Sequence, residues 1–140
     1  MPLLGETRPR RVLVVDDDPF LIELIMTRLA IAEYDVRGAC DGVNAIDRLK
    51  DFRPEAMVLD INMPRLDGFG VLSYMKAQGL TDKTMTMVLT ARNNSEDVAK
   101  AISLGAKDYL SKPFKDEQLL QRVGRLFARA ARSTPGARPQ

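Results

Sequence analysis

The 140-residue chain has no histidine, no tryptophan, a single cysteine and few aromatic residues. Each shortage removes a class of chemistry. Without histidine there is no Ser-His-Asp triad, no Cys-His pair, no histidine-ligated zinc and no phosphohistidine carrier. With Cys40 alone there is no internal disulfide and no multi-cysteine metal centre. Apolar runs are only a few residues long, too short to span a membrane. The start, Met1-Pro2-Leu3-Leu4-Gly5-Glu6, has neither a basic head nor an apolar core of a secretion signal. No GxxxxGK[ST] loop and no GxGxxG occurs, so P-loop and dinucleotide readings have no support.

What is present is a globular composition, 45% hydrophobic and 29% charged, at the length of one domain. The expectation is a soluble cytoplasmic domain whose chemistry rests on carboxylates, hydroxyls and amines. Of the 21 basic residues, five arginines follow Glu117, and none of the 19 acids does. The first 117 residues are therefore slightly acidic and the C-terminal end is basic. A body so balanced does not suggest wholesale binding to DNA. Residues 1–9 and 133–140 hold four of the eight prolines and read as flexible tails around one domain, 10–132.

Between the tails the pattern alternates. Val12-Leu13-Val14-Val15 is a continuous apolar run, as suits a strand buried on both faces of a parallel sheet. Asp18 then caps a helix with Pro19 in its first turn, and Leu21, Leu24, Ile25 and Leu29 form its apolar stripe. A weaker strand spans 35–40, and Cys40 at its end reads as a small apolar filler. A helix over 42–50 follows. The alternation repeats with a strand at 56–59, a helix near 67–77 and a strand at 85–89. Next comes a helix capped by Ser95 and closed by Gly105. A short strand at 107–110 and a helix over 115–132 complete the series. Strands alternating with helices predict an α/β fold, a five-stranded parallel sheet covered on both faces. In such folds the ligand lies at the carboxyl ends of the strands.

Polar residues fall at those ends. The first strand leads into Asp16 and Asp17, the third into Asp60, the fourth into Thr90, and the fifth leads on to Lys112. Three adjacent carboxylates repel one another unless a cation is present, and Mg²⁺ suits an all-oxygen site that keeps waters and takes a phosphoryl oxygen. A hydroxyl and an ammonium nearby suit the remaining phosphoryl oxygens. Asp60, the central carboxylate, is the candidate nucleophile. Taken singly, each aspartate could equally be a turn or cap residue, and Asp18 is assigned that role; it is the conjunction that points to phosphoryl transfer.

Val14-Val15-Asp16-Asp17-Asp18, the segment Leu59-Asp60-Ile61-Asn62-Met63-Pro64-Arg65-Leu66-Asp67-Gly68, Thr90-Ala91, Gly105-Ala106-Lys107-Asp108-Tyr109 and Lys112-Pro113-Phe114 together resemble the CheY-like receiver domain of two-component response regulators. The resemblance covers residues 10–131. It implies a doubly wound, flavodoxin-like sheet of order 2-1-3-4-5. Most such receivers are fused to an output module, and only a short tail follows residue 132 here. The expectation is a stand-alone, single-domain response regulator, the alternative being a fragment of a longer protein. The resemblance implies that Asp60 accepts phosphate from a sensor histidine kinase or a histidine phosphotransfer protein. Asp17 and Asp60 would ligate Mg²⁺ directly, Asp16 through water, and Asn62 by its backbone carbonyl. Lys112 would pair with the phosphoryl charge, and Thr90 and Tyr109 would form the switch. Asn62 and Arg92 occupy positions that tune phosphate lifetime, and Lys112-Pro113 would be cis. The protein would not be an enzyme in its own right. Its output would be the surface of helix 4, strand 5 and helix 5, read by a downstream protein such as a flagellar motor component. The competing enzyme reading, a haloacid dehalogenase-type phosphatase, also uses an aspartate nucleophile, but Pro19-Phe20 follows Asp16-Asp17-Asp18 and departs from that family's pattern.

On the last helix Arg122, Arg125, Arg129 and Arg132, spaced by 3, 4 and 3, fall on one stripe. Arginine forks suit phosphates and stack on bases, and some CheY-like proteins resemble this in binding cyclic di-GMP. The alternative is a solvated basic face.

Overall fold

The computed structural model describes residues 8–133. Five strands alternate with five helices: β1 (Arg11–Val15), α1 (Pro19–Ile31), β2 (Asp35–Ala39), α2 (Gly42–Asp51), β3 (Ala56–Leu59), α3 (Gly68–Ala77), β4 (Met85–Thr90), α4 (Ser95–Ser103), β5 (Asp108–Ser111) and α5 (Asp116–Ser133). The sheet is parallel throughout, in the order β2-β1-β3-β4-β5. This is the doubly wound order expected, with the chain reversing direction of travel at β1.

The unbroken apolar strands follow from burial on both faces. Along β1, Leu13 and Val15 face one core with α2 and α3, while Val12 and Val14 face the other with α1 and α5. Met57 and Leu59 continue the first core through β3, and Met87 and Leu89 continue the second through β4. The α5 packing face is Leu119, Val123, Leu126 and Phe127, all buried. Tyr34 stacks on Phe127 at 5.4 Å and ties the start of β2 to that helix. The edge strand β2 is the least apolar and the least buried, as its sequence DVRGA suggests.

Several local expectations shift. Asn94, not Ser95, is the N-cap of α4, because its side chain accepts the Asp97 N–H. Strand β5 begins at Asp108 and runs one residue further than expected. Leu24 lies 42% exposed on the outside of α1, so the buried stripe of that helix narrows to Ile25 and Leu29. Cys40 is exposed just past β2 instead of filling the core. The tail residues 1–7 and 134–140 lie outside the described part.

Candidate functional site

The first and third strands are hydrogen-bonded neighbours, so the residues that follow them are brought together. Asp60 N–H donates to the Val15 carbonyl at 3.0 Å, and Asp16 N–H to the Ala39 carbonyl at 3.1 Å. These two bonds extend the ladder one step past the strands and fix both carboxylates at the sheet edge. Asp16 and Asp60 are buried, while Asp17 is exposed. Oxygens of the three carboxylates lie within 4.8 Å of one another.

Lys112 reaches this group from beyond β5. Its ammonium donates to Asp16 Oδ2 at 2.8 Å and to Asp60 Oδ2 at 3.3 Å. The Lys112 N–H bonds the Thr90 carbonyl at 2.9 Å, and the Lys112-Pro113 peptide is cis. The remaining oxygens are held by backbone: Asp16 Oδ1 accepts from Asp18 N–H, and Asp60 Oδ1 from Ile61 N–H at 2.7 Å. Burial pushes the Asp16 carboxyl up from its ordinary value, with the Lys112 and Asp18 hydrogen bonds opposing and the Asp60 charge adding to the rise. Burial alone would lower Lys112, but the Asp16 hydrogen bond and the charges of Asp60 and Asp16 outweigh it and raise it. Three carboxylates beside one ammonium, which pairs with Asp16 and Asp60, leave the site with negative charge in excess.

The β3–α3 loop is folded back tightly. Gly68 N–H donates to the Ile61 carbonyl at 2.8 Å, and a Cβ on Gly68 would lie 2.4 Å from the Asp60 carbonyl oxygen. Only glycine admits this approach. Asp67 then caps α3 through its bond from Gly70 N–H. The Asp18 side chain caps α1, as its local role predicts, and only its backbone N–H meets the cluster, at Asp16 Oδ1.

The side chains of Thr90, Asn62 and Tyr109 do not touch the carboxylates through any described hydrogen bond; Arg92 links them to each other. Its N–H donates to Thr90 Oγ1 at 3.3 Å, Nη1 donates to Asn62 Oδ1 at 3.1 Å, and its carbonyl accepts from the Tyr109 hydroxyl. Arg92 is itself gripped by Asp97 through two bonds, Nε to Oδ2 at 2.8 Å and Nη2 to Oδ1 at 3.0 Å. The hydrogen bond to Asp97 raises the Arg92 guanidinium above its ordinary value, and the same bond holds the Asp97 carboxyl below the usual range. Burial, and then the Asp97 charge, push the Tyr109 phenol up. Sequence reading missed Asp97. The available signal was Asn94-x-x-Asp97, the spacing of a capping box, which places an acid in the first turn of α4.

The arginine row is not a uniform free stripe. Arg122 is half-buried and donates to Asp108 Oδ1 on β5 at 2.9 Å. Arg129 is also engaged, Arg125 is exposed, and the Arg132 side chain lies outside the described residues. Among the described residues no helix is long and apolar enough to cross a membrane.

The response regulator receiver domain family matches residues 12–124. Response regulator MprA of Mycobacterium sp. (strain KMS) is 42% identical over 123 residues, 88% of this chain and 53% of that protein. MprA of Mycobacterium tuberculosis (strain ATCC 25177 / H37Ra) is 43% identical over 119 residues, covering 85% and 51%. The chain thus spans about half the length of the curated relatives it matches. Among solved structures, the receiver domain of Francisella response regulator 1452 superposes with a TM-score of 0.80 at 32% identity, over 86% of this chain and 98% of that one. Vibrio cholerae chemotaxis protein CheY4 gives 0.79 at 30% identity, over 84% and 98%. Neither these likenesses nor the geometry of α5 supports the cyclic di-GMP reading. A parallel 2-1-3-4-5 sheet, an acidic cluster after β1 and β3 and a lysine beyond β5 agree with the sequence match: this chain belongs to the response regulator receiver domain family.

Proposed function

We propose that the chain is the phosphorylation switch of a two-component pathway, taking a phosphoryl group on Asp60 from a histidine kinase or a histidine phosphotransfer protein. The observation that carries this is the grouping of Asp16, Asp17 and Asp60, with the Lys112 ammonium bonded to Asp16 and Asp60. Asp60 Oδ1 is anchored to Ile61 N–H, while Oδ2 is held only by the longer Lys112 bond. Oδ2 is therefore the attacking atom. The P–N bond of the donor phosphohistidine breaks as the P–O bond forms, and the imidazole leaves with the electron pair.

The three carboxylates fit Mg²⁺. Oxygens sharing an octahedral Mg²⁺ lie roughly 3–4 Å apart, so the observed spread closes with small side-chain rotations. When bound, the ion offsets charge on the carboxylates and on the phosphoryl oxygens. Asp17 and Asp60 would be its direct ligands, Asp16 would act through water, and the Asn62 carbonyl would complete the set. Lys112 leaves Asp16 to pair with a phosphoryl oxygen, and Thr90 donates its hydroxyl to another. Moving Thr90 releases the Arg92 N–H, and with it the loop whose carbonyl holds Tyr109. The switch is a population shift that favours whichever loop position reaches the phosphate. The surface of α4, β5 and α5 then changes shape and is read by a protein partner in the cytoplasm.

The test is phosphorylation by a small phosphoramidate donor, followed by intact mass. One phosphate per chain is expected with Mg²⁺ and none with EDTA. Uptake of phosphate by Asp60→Asn would overturn the assignment. Turnover of a phosphate ester beyond one equivalent would favour the phosphatase reading instead.

A further inference from the structure

At the opposite end of the sheet lies a cleft of about 690 Å³, between the C-terminal ends of α2 and α3 and the starts of β3 and β4. That volume is in the range of small-molecule sites. Its apolar floor is Leu49, Leu80 and the half-buried ring of Tyr74. Its polar wall is mainly basic: Arg11, Lys50, Arg53 and Lys83, with Glu55 the one acid.

The ion pairs around the cleft leave those cations in surplus. Glu55 is taken by Arg11, through both the backbone N–H at 3.0 Å and the guanidinium at 3.6 Å. Asp51 is taken by Arg48 at 2.6 Å, and Asp82 by Lys107 at 3.0 Å. Each acid beside the cleft in sequence is thus committed to a base other than Lys50, Arg53 or Lys83. Among the described residues these three have no carboxylate within 4 Å. A helix C-terminus favours a cation, which accounts for Lys50 in the last turn of α2. It does not account for Lys83, which lies in the loop that follows α3.

Arg53 adds an independent observation. It occupies the position just past the α2 C-cap, with φ 51°, and its N–H bonds the Arg48 carbonyl at 3.3 Å. Glycine ordinarily takes such left-handed positions because a side chain there is strained. Here an arginine stands there, its carbonyl held by Arg11 Nε at 3.0 Å and its side chain at the lip of the cleft.

We propose that this cleft binds a small organic polyphosphate carrying a flat ring, of the size and chemistry of a nucleoside diphosphate. Three exposed cations without a carboxylate partner favour an anion of more than one charge over a single carboxylate. Lysine serves phosphate as a point charge and arginine as a fork. The Leu49–Tyr74–Leu80 floor offers a ring an apolar face beside that charge. The site lies at the amino ends of the strands, apart from Asp60, and does not depend on the phosphoacceptor reading.

The test is amide NMR of the whole chain in EDTA, titrated with ADP and separately with pyrophosphate. Saturable shifts are expected at Arg53, Glu55, Tyr74 and Lys83, with ADP binding at least about tenfold tighter than pyrophosphate, as an added ring contact of 1.4 kcal/mol would give. Lys50→Gln/Arg53→Gln/Lys83→Gln should lose at least about tenfold in ADP affinity, while Arg125→Gln changes nothing. The three single variants, measured beside the triple, should each lose part of that affinity with an unchanged spectrum elsewhere. Shifts confined to α5 or the Asp60 site, equal binding of the two probes, or no saturation by about 10 mM would each overturn the proposal.

Discussion

The two ends of the sheet carry opposite charge surpluses on one scaffold. At the carboxyl ends three carboxylates cluster, and the Lys112 ammonium pairs with two of them, Asp16 and Asp60. At the amino ends Lys50, Arg53 and Lys83 line one cleft while the neighbouring acids pair elsewhere. The difference lies in how each surplus is built. The acidic one sits on residues directly continuing β1 and β3, with backbone bonds fixing the carboxylates. The basic one sits on loops and a helix end, with longer side chains and no described hydrogen bond holding their charged heads. Rigidly placed charge suits covalent chemistry, which needs reacting atoms at close and fixed distance. Loosely placed charge suits reversible binding of an anion.

The sharpest way to break this comparison is to exchange one functional atom at each end. On the proposed reading, Asp60→Asn should abolish phosphorylation completely, by intact mass, because a neutral amide replaces the attacking carboxylate oxygen. The triple glutamine variant of the amino-end cations should be phosphorylated at the parent rate. Loss of phosphorylation in both would mean that the two ends are coupled.

Glycines give the next largest contrast. Gly68→Ala places a Cβ 2.4 Å from the Asp60 carbonyl and 2.8 Å from Ile61 Cα, with backbone as the obstacle. Overpacking of this kind costs about 1–3 kcal/mol, and relief must move Asp60. Urea unfolding should show that loss together with slower phosphorylation. Gly79→Ala, at the amino end, meets nothing within 4 Å and is strained only by its φ of 70°. It should cost about 1 kcal/mol and leave phosphorylation unchanged. Equal effects on phosphorylation would erase the distinction.

A smaller effect has the opposite sign. Asp16 is a buried acid whose carboxyl stands above its ordinary value. A raised acid costs the metal-free fold nothing below its unfolded value, and the cost grows as pH rises through the folded one. Asp16→Asn should therefore raise the melting temperature by a few degrees at neutral pH without Mg²⁺, with the gain vanishing in acid. It should also weaken the stabilisation that Mg²⁺ gives the parent. A variant less stable than the parent at neutral pH would mean that the Lys112 pair outweighs the burial.

These contrasts follow what was legible in the chain. The sheet could be read because parallel strands are apolar throughout and end where the polar residues begin. Asp16, Asp17, Asp60, Thr90 and Lys112 could be placed because each ends or follows a strand. The outer faces were harder. Leu24 and Cys40 look like core residues by type, and only the packing of α1 and the end of β2 show them exposed. The arginines of α5 share a stripe by spacing, but spacing does not reveal that Asp108, on another element, takes Arg122. The amino-end cleft was invisible for the same reason: positions 50, 53 and 83 converge only after α2 and α3 have packed.

Asp97 belongs to this less legible group, and its removal gives the smallest effect. Its carboxylate holds Arg92 by two bonds, and Arg92 holds Asn62, Thr90 and, through its carbonyl, Tyr109. The Arg92 hydrogen bond lowers the Asp97 carboxyl, so the stability it contributes is present above the ordinary carboxyl value and is lost as pH falls through the lower folded one. Asp97→Asn should cost little stability at neutral pH, since Arg92 is 39% exposed and the neutral amide can still accept its hydrogen bond, and should flatten that part of the acid limb of the unfolding curve. Its larger consequence lies at Tyr109. With Arg92 released, the β4–α4 loop samples more positions, and the Tyr109 hydroxyl loses a fixed partner. Tyrosine ring NMR signals should broaden in Asp97→Asn without phosphate, while phosphate uptake at Asp60 persists. Unbroadened Tyr109 signals would show that the loop is held by its Thr90 and Asn62 bonds alone, and that the acid in the first turn of α4 serves only to cap the helix.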